Sequence, residues 1–198
     1  MGQALPISKI DVASFLAWEN EQPERHELVD GEIYAMTGAR DAHNRIALNV
    51  ASSFMAQLRG KPCRTFMSDM KLHIATADAI CYPDVFVTCD PRDHSPEADL
   101  IKHHPSLVVE VISPSTGAYD RGRKFELYRS LPTLQEVLFI EQDRQQVDLF
   151  RRNGDGRWEL FPPTDAGALL LTSVGLTLTL AQIYEDVLPA TPADEPSR

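Results

Sequence analysis

The 198-residue sequence has no surplus of basic residues: 19 Lys and Arg stand against 29 Asp and Glu, a formal net charge of −10. That excludes a protein that grips nucleic acid by bulk electrostatics, because phosphate binding draws on clustered cations. Any such contact must be local. Two stretches are locally basic, "DRGRKFELYR" with Arg121, Arg123, Lys124 and Arg129, and "RRNGDGR" with Arg151, Arg152 and Arg157. On charge alone both read as solvated faces. Cysteine is scarce as well. Cys63, Cys81 and Cys89 are odd in number and show no Cys-x-x-Cys spacing, so core or surface thiols are expected rather than a disulfide framework or a structural zinc site. The first residues lack a basic segment followed by an apolar one, and no apolar run reaches membrane-spanning length. The expectation is a cytoplasmic protein with no membrane partner. Internal repeats, a Gly-x-Ser-x-Gly elbow and an appended helix-turn-helix or zinc module are also missing.

What remains is enough for one domain over residues 1–188, followed by "PATPADEPSR" (189–198), too rich in Pro, Ala and charge to repay ordering. Ser8 and Asp11 before Val12, Phe15 and Leu16 read as a short capped helix ending before Pro23. Asp30-Gly31 sits between two apolar-rich segments, the signal of a tight hairpin. Ile46, Val50, Phe54 and Leu58 recur every four residues in a helix that stops at Gly60. Strands are expected in 63–74, 80–88 and 106–113, and the third, apolar on both faces, belongs inside a sheet. A helix over about 118–130 has Thr116 as its candidate cap. Three strands with turns near Asp143 and at 153–156 come next, then a final helix in "TLAQIYEDVL". The alternation indicates an α/β or α+β fold with a mixed sheet.

One residue does not belong in that pattern. Glu110 lies inside "LVVEVI", where an ionised carboxylate withdrawn from water costs several kcal/mol unless a cation or donors meet it. Asp84, after Pro83 in "YPDVFVT", is a second acid at the start of an apolar strand. If the sheet unites them, repulsion raises one pKa unless a divalent cation lies between the oxygens. Magnesium fits two carboxylates, whereas zinc would want His or Cys, and manganese is a substitute. Lys124 completes the set, on a helical stripe with Asp120 and Tyr128, where an ammonium could orient a metal-bound water. His94, His103 and His104 have no compact ligand spacing and read as loop residues, while Ser113, Ser115 and Thr116 read as turn and cap residues.

Taken together, "HELVDGEIYAMTG", "ARDAHNRIALNV", "YPDVFV", "LVVEVISPST" and "DRGRKFELY" resemble the Uma-two family, a branch of the PD-(D/E)XK nuclease superfamily, over residues 10 to 187. The resemblance implies a restriction-endonuclease-like core, a mixed central sheet flanked by helices, that hydrolyses DNA phosphodiester bonds with magnesium at Asp84 and Glu110. The superfamily's usual lysine two residues after the glutamate is replaced by Ile112, so Lys124 takes its role from the helix. Glu27 matches an early acidic position and His43 a family histidine. The Val111 carbonyl is a further candidate ligand, and Arg121 and Arg123 are candidate contacts to the DNA backbone. A homodimer would suit the cutting of two strands by one site per chain. The rival reading is a lapsed nuclease fold that binds nucleic acid or protein without cleavage.

Overall fold

Asp11 caps the first helix. Its carboxylate accepts the Ser14 N–H at 2.7 Å, and α1 (Val12–Glu19) follows. The computed structural model describes residues 9–36, 38–114 and 116–187, so Ser8, Ser115 and the expected tail over 189–198 lie outside the described residues. β1 (His26–Val29) and β2 (Glu32–Ala35) form the expected hairpin. Its two turn residues both have positive φ, Asp30 at 55° and Gly31 at 78°, which is why Asp-Gly stands there. α2 (Asp41–Leu58) buries Ile46, Val50, Phe54 and Leu58, as its four-residue period requires, and the chain leaves it through Gly60 at φ 77°.

The next two expected strands each divide. Residues 63–74 form β3 (Arg64–Met67) and β4 (Lys71–Ile74), and 80–88 form β5 (Ala79–Cys81) and β6 (Val85–Thr88). In each case the halves join different sheets. A turn closed by Met70 N–H to the Met67 carbonyl makes the first break. Pro83, which has no N–H for a ladder, lies in the second.

β7 (Ile101–Lys102) and β8 (Pro105–Ile112) precede the helical segment. That segment runs from α3 (Gly117–Tyr119) through a π-helical turn over Asp120–Lys124 into α4 (Phe125–Arg129). β9 (Glu136–Glu141), β10 (Val147–Arg152) and β11 (Trp158–Phe161) are the three expected strands. A further hairpin, β12 (Ala168–Leu171) with β13 (Leu176–Thr179), escaped the sequence reading. The final helix is short: α5 (Leu180–Ile183) is capped by a reciprocal Thr179–Gln182 box.

The fold is mixed α/β. Six strands in the order β11-β10-β9-β8-β6-β3 make one sheet, and β2-β1-β5-β4-β7 make another. β8 runs parallel to β9 and antiparallel to β6, inside the larger sheet, with Leu107 to Ile112 buried throughout. Its faces divide the core. Leu107, Val109 and Val111 pack with Ile46, Val50 and Phe54 of α2. Val108 and Ile112 pack with Phe125 and Tyr128 and with Leu72 and Ile74 of the smaller sheet. Burying one such side chain contributes about 1.5–3 kcal/mol, so β8 is held from both sides.

The cysteines correct the reading from spacing. β3 and β6 are antiparallel with Arg64 opposite Thr88, so Cys63 and Cys89 are the next pair along, and they form a disulfide with Cα atoms 4.0 Å apart. Cys81 is a buried thiol. Among the described residues no helix is long and apolar enough to cross a membrane.

Candidate active site

Glu110 is 3% exposed on β8 and turns to the side covered by the helical segment. Its Oε1 accepts the Tyr128 hydroxyl at 2.5 Å and lies 3.0 Å from Lys124 Nζ. The same ammonium is 3.1 Å from Glu27 Oε1, which also accepts the Tyr82 N–H at 2.9 Å. Lys124 and Glu27 are themselves buried, at 6% and 7% exposure, so one cation serves two carboxylates out of water. The π turn makes this possible. By widening the helix it brings Asp120 and Lys124 inward together, and both are buried.

Asp84 follows Pro83 at the foot of β6. β6 pairs Val85 with Val109, so the register carried one step further sets Asp84 beside Glu110. Asp84 Oδ2 accepts the Val111 N–H at 2.7 Å and lies 3.3 Å from His43 Nε2, in the first turn of α2. A cavity of about 440 Å³ is lined by Glu27, His43, Asp84, Glu110, Val111 and Lys124. These are the six residues singled out in the sequence as metal-site or catalytic candidates. Ile112, at the superfamily's usual lysine position, is packed in the apolar core instead.

Burial pushes the Glu110 carboxyl well above its ordinary pKa; Lys124 opposes this, while Asp84, Asp120 and Glu27 add to it. Asp120 is raised by burial too, again against the pull of Lys124. For Lys124 burial works the other way, yet Glu110, Glu27 and Asp120 hold its pKa well above the usual lysine value. Burial likewise opposes a charged His43, but the Asp84 carboxylate more than offsets it and the imidazole is raised. Four acids thus face one ammonium and one imidazole, an arrangement short of positive charge.

The sequence reading placed Asp120 only on the same helical stripe as Lys124, but it also lines the cavity. Tyr128, a member of the Lys124 stripe in the sequence reading, donates to Glu110. The i, i+4, i+8 stripe of Asp120, Lys124 and Tyr128 was the signal for both. Arg121 and Arg123 do not line the cavity. Arg121 pairs with Glu141 at 3.2 Å and Asp148 at 2.6 Å, and Arg123 with Glu126 at 2.7 Å and with Asp30. Nor is Arg151 a solvated cation: its Nε is 2.7 Å from the buried Glu136. The loop histidines surround Asp93, which accepts His104 Nδ1 at 2.9 Å and the His103 and His104 N–H groups. Ser113 and Thr116 bond to each other at 2.9 Å and close the turn into α3.

Among the described residues no three His, Cys, Asp or Glu side chains converge as ready metal ligands. The donor chemistry nevertheless suits a hard divalent ion. Asp84 Oδ1 and Glu110 Oε2 have no hydrogen bond or ion pair among the described residues, and both residues face the cavity. Magnesium uses one or two carboxylates and fills its remaining positions with water and phosphate oxygens, so a three-residue cluster is not required.

Residues 12–181 match the model of the Uma2 family, described as "Putative restriction endonuclease". An uncharacterized protein of Synechocystis is 40% identical over 179 residues, covering 90% of this chain and 93% of the relative. A second from the same organism is 33% identical over 151 residues, 76% of this chain and 85% of the relative. The crystal structure of a "putative nuclease belonging to DUF820" from Anabaena variabilis superposes with a TM-score of 0.71, over 90% of this chain and 99% of that one. With 18% identity, that likeness is one of fold.

Proposed function

The chain belongs to the Uma2 family, whose model it matches over residues 12–181, and on that premise we propose that it is a magnesium-dependent endonuclease acting on DNA. The observation that carries the reading is the meeting of Asp84, Glu110 and Lys124 in one cavity, with the ammonium 3.0 Å from Glu110. Asp84 and Glu110 would hold the ion, with the Val111 carbonyl as a further ligand; manganese is the natural substitute. When bound, the metal supplies Lewis-acid polarisation of the scissile phosphate and a more acidic water.

The remaining work falls to the chain's own groups. Lys124 donates to Glu110 and Glu27 and has a third N–H to direct at the attacking water. Glu27 fixes the ammonium from the far side, anchored by the Tyr82 N–H. His43 and the Val111 N–H both bear on Asp84 Oδ2, which leaves Oδ1 as the outward oxygen. A lysine so placed can also stabilise charge developing on the phosphate. Two copies about a two-fold axis would let single sites cut both strands.

A plasmid-nicking assay tests the proposal. The protein should nick supercoiled DNA with magnesium, stop when the metal is chelated, and lose about 100-fold or more in rate as Asp84→Ala. Equal nicking by both proteins would overturn it.

A further inference from the structure

Most cations of this acidic chain are engaged internally. Arg121, Arg123 and Arg151 pair with carboxylates, Arg152 donates to backbone carbonyls, and Lys102 donates to the Asp93 and Ala98 carbonyls. Five others are exposed without an ion pair or hydrogen bond among the described residues: Arg40, Arg45, Arg59, Lys61 and Arg64. Among the described residues Lys9, Arg129 and Arg157 make no ion pair or side-chain hydrogen bond either, but each stands apart from this group: Lys9 at the start of the described chain, Arg129 at the end of α4 against the Phe125 ring, and Arg157 in the β10–β11 turn.

The five are ordered in space because all lie on α2, at its ends or on β3. α2 has 18 residues, so it is about 27 Å long. Its only acid is Asp41, in the first turn. Asn44, Leu48, Met55 and Arg59 fall on one exposed stripe by helical spacing. Arg40 and Asn44, at the N-terminal end, line the candidate active site. Met55 and Arg59, at the other end, line a second cavity of about 590 Å³ together with Arg64 and Lys102. β3 makes the same journey, with Met67 in the first cavity and Arg64, Thr65 and Phe66 in the second. Among the described residues Asp99 is the one carboxylate lining that second cavity, and His94 contributes a buried Nε2 with no hydrogen-bond partner.

We propose that α2 and β3 form the docking surface for the phosphate backbone of DNA flanking the cleaved bond. The track starts at Arg40 beside the carboxylates and ends at Arg59, Lys61 and Arg64. The inference rests on the nuclease reading and deepens it by naming where the substrate lies. At 3.4 Å per nucleotide along one strand, α2 spans about eight nucleotides. Charge complementarity selects the occupant: unpaired guanidinium and ammonium groups suit phosphates, and exposed Leu48 and Met55 between them suit sugar faces.

The test uses the full chain with Arg59→Gln, Lys61→Gln and Arg64→Gln combined, and Arg123→Gln as control. Anisotropy of a labelled duplex of about 20 base pairs is followed in calcium as salt rises. Removal of three phosphate contacts should lower the salt slope by about 2.7 and weaken low-salt binding about 10-fold or more. Hydrolysis of bis(p-nitrophenyl) phosphate, too small to reach the far cavity, should be unchanged. Unaltered duplex affinity and slope in the triple variant, while the wild type still nicks plasmid, would overturn the docking surface and leave the enzyme. Binding lost in the triple variant with no hydrolysis by the wild type would uphold the surface and remove the enzyme. No duplex binding by the wild type would overturn the surface outright.

Discussion

Two buried glutamates on neighbouring strands, Glu110 of β8 and Glu136 of β9, are met by the protein in opposite ways. Glu136 is completely buried and fully engaged: Arg151 Nε lies at 2.7 Å, the Thr172 N–H and hydroxyl at 3.2 Å each, the Ser173 N–H at 3.0 Å, and the Ser173 hydroxyl also donates. Both of its oxygens are occupied by donors from β10 and from the turn between β12 and β13. Glu110 receives Tyr128 and Lys124 on one oxygen, shares that lysine with Glu27, and faces Asp84 and Asp120. Its second oxygen has no partner among the described residues, and the residue lines a cavity. A carboxylate closed off by donors fastens strands together, whereas one left partly unmet, among other acids, is ready for a cation.

Replacing each glutamate sharpens that contrast. The largest effect is expected at Glu136. Glu136→Ala strands the Arg151 guanidinium and the Thr172 and Ser173 donors, and should lower the free energy of unfolding by about 3–5 kcal/mol, read by urea denaturation. Next comes the loss of cleavage at the other site. Glu110→Gln should cut plasmid nicking about 100-fold or more, a transition-state loss near 2.7 kcal/mol, with the fold intact by circular dichroism.

The smallest effect has the opposite sign. The folded state raises the Glu110 pKa above its ordinary 4.5, so the charged form is the one disfavoured by folding. The stability linked to this group is complete below pH 4.5 and is lost as pH rises through the folded value. Glu110→Gln removes the charge, so at pH 7–8 it should be slightly more stable than wild type by urea denaturation, a gain that fades on acidification. A variant that is destabilised at neutral pH would place Glu110 in the same class as Glu136.

The same pair marks what could be read from the sequence. Glu110 was legible because it interrupts an apolar run, whereas Glu136 was not, since nothing in "QEVLFIE" signals that Arg151 and a distant turn will close on it. Local signals did well: the Asp-Gly turn, the four-residue period of α2 and the two-faced burial of β8 all reflect chemistry within a few residues. Choices between partners did not. Alternation says that 63–74 and 80–88 are extended but not which sheet each half joins, and the Cys63–Cys89 bond depends on a β3–β6 register invisible in a separation of 26 residues. Arg121 and Arg123 looked available for DNA because Asp148, Asp30 and Glu126 reach them only after folding or from across a helical turn. The unpaired cations on α2 and β3 were overlooked for the same reason: sequence shows where charge is, and only tertiary structure shows which charges stay free.

Calorimetric titration with manganese tests the central claim most directly. The wild-type chain should bind one ion per molecule, and Asp84→Ala and Glu110→Gln should each abolish that uptake while unfolding as cooperatively as the wild type. A wild-type chain that takes up no divalent ion, or variants that bind it unchanged, would contradict a shared metal site at Asp84 and Glu110.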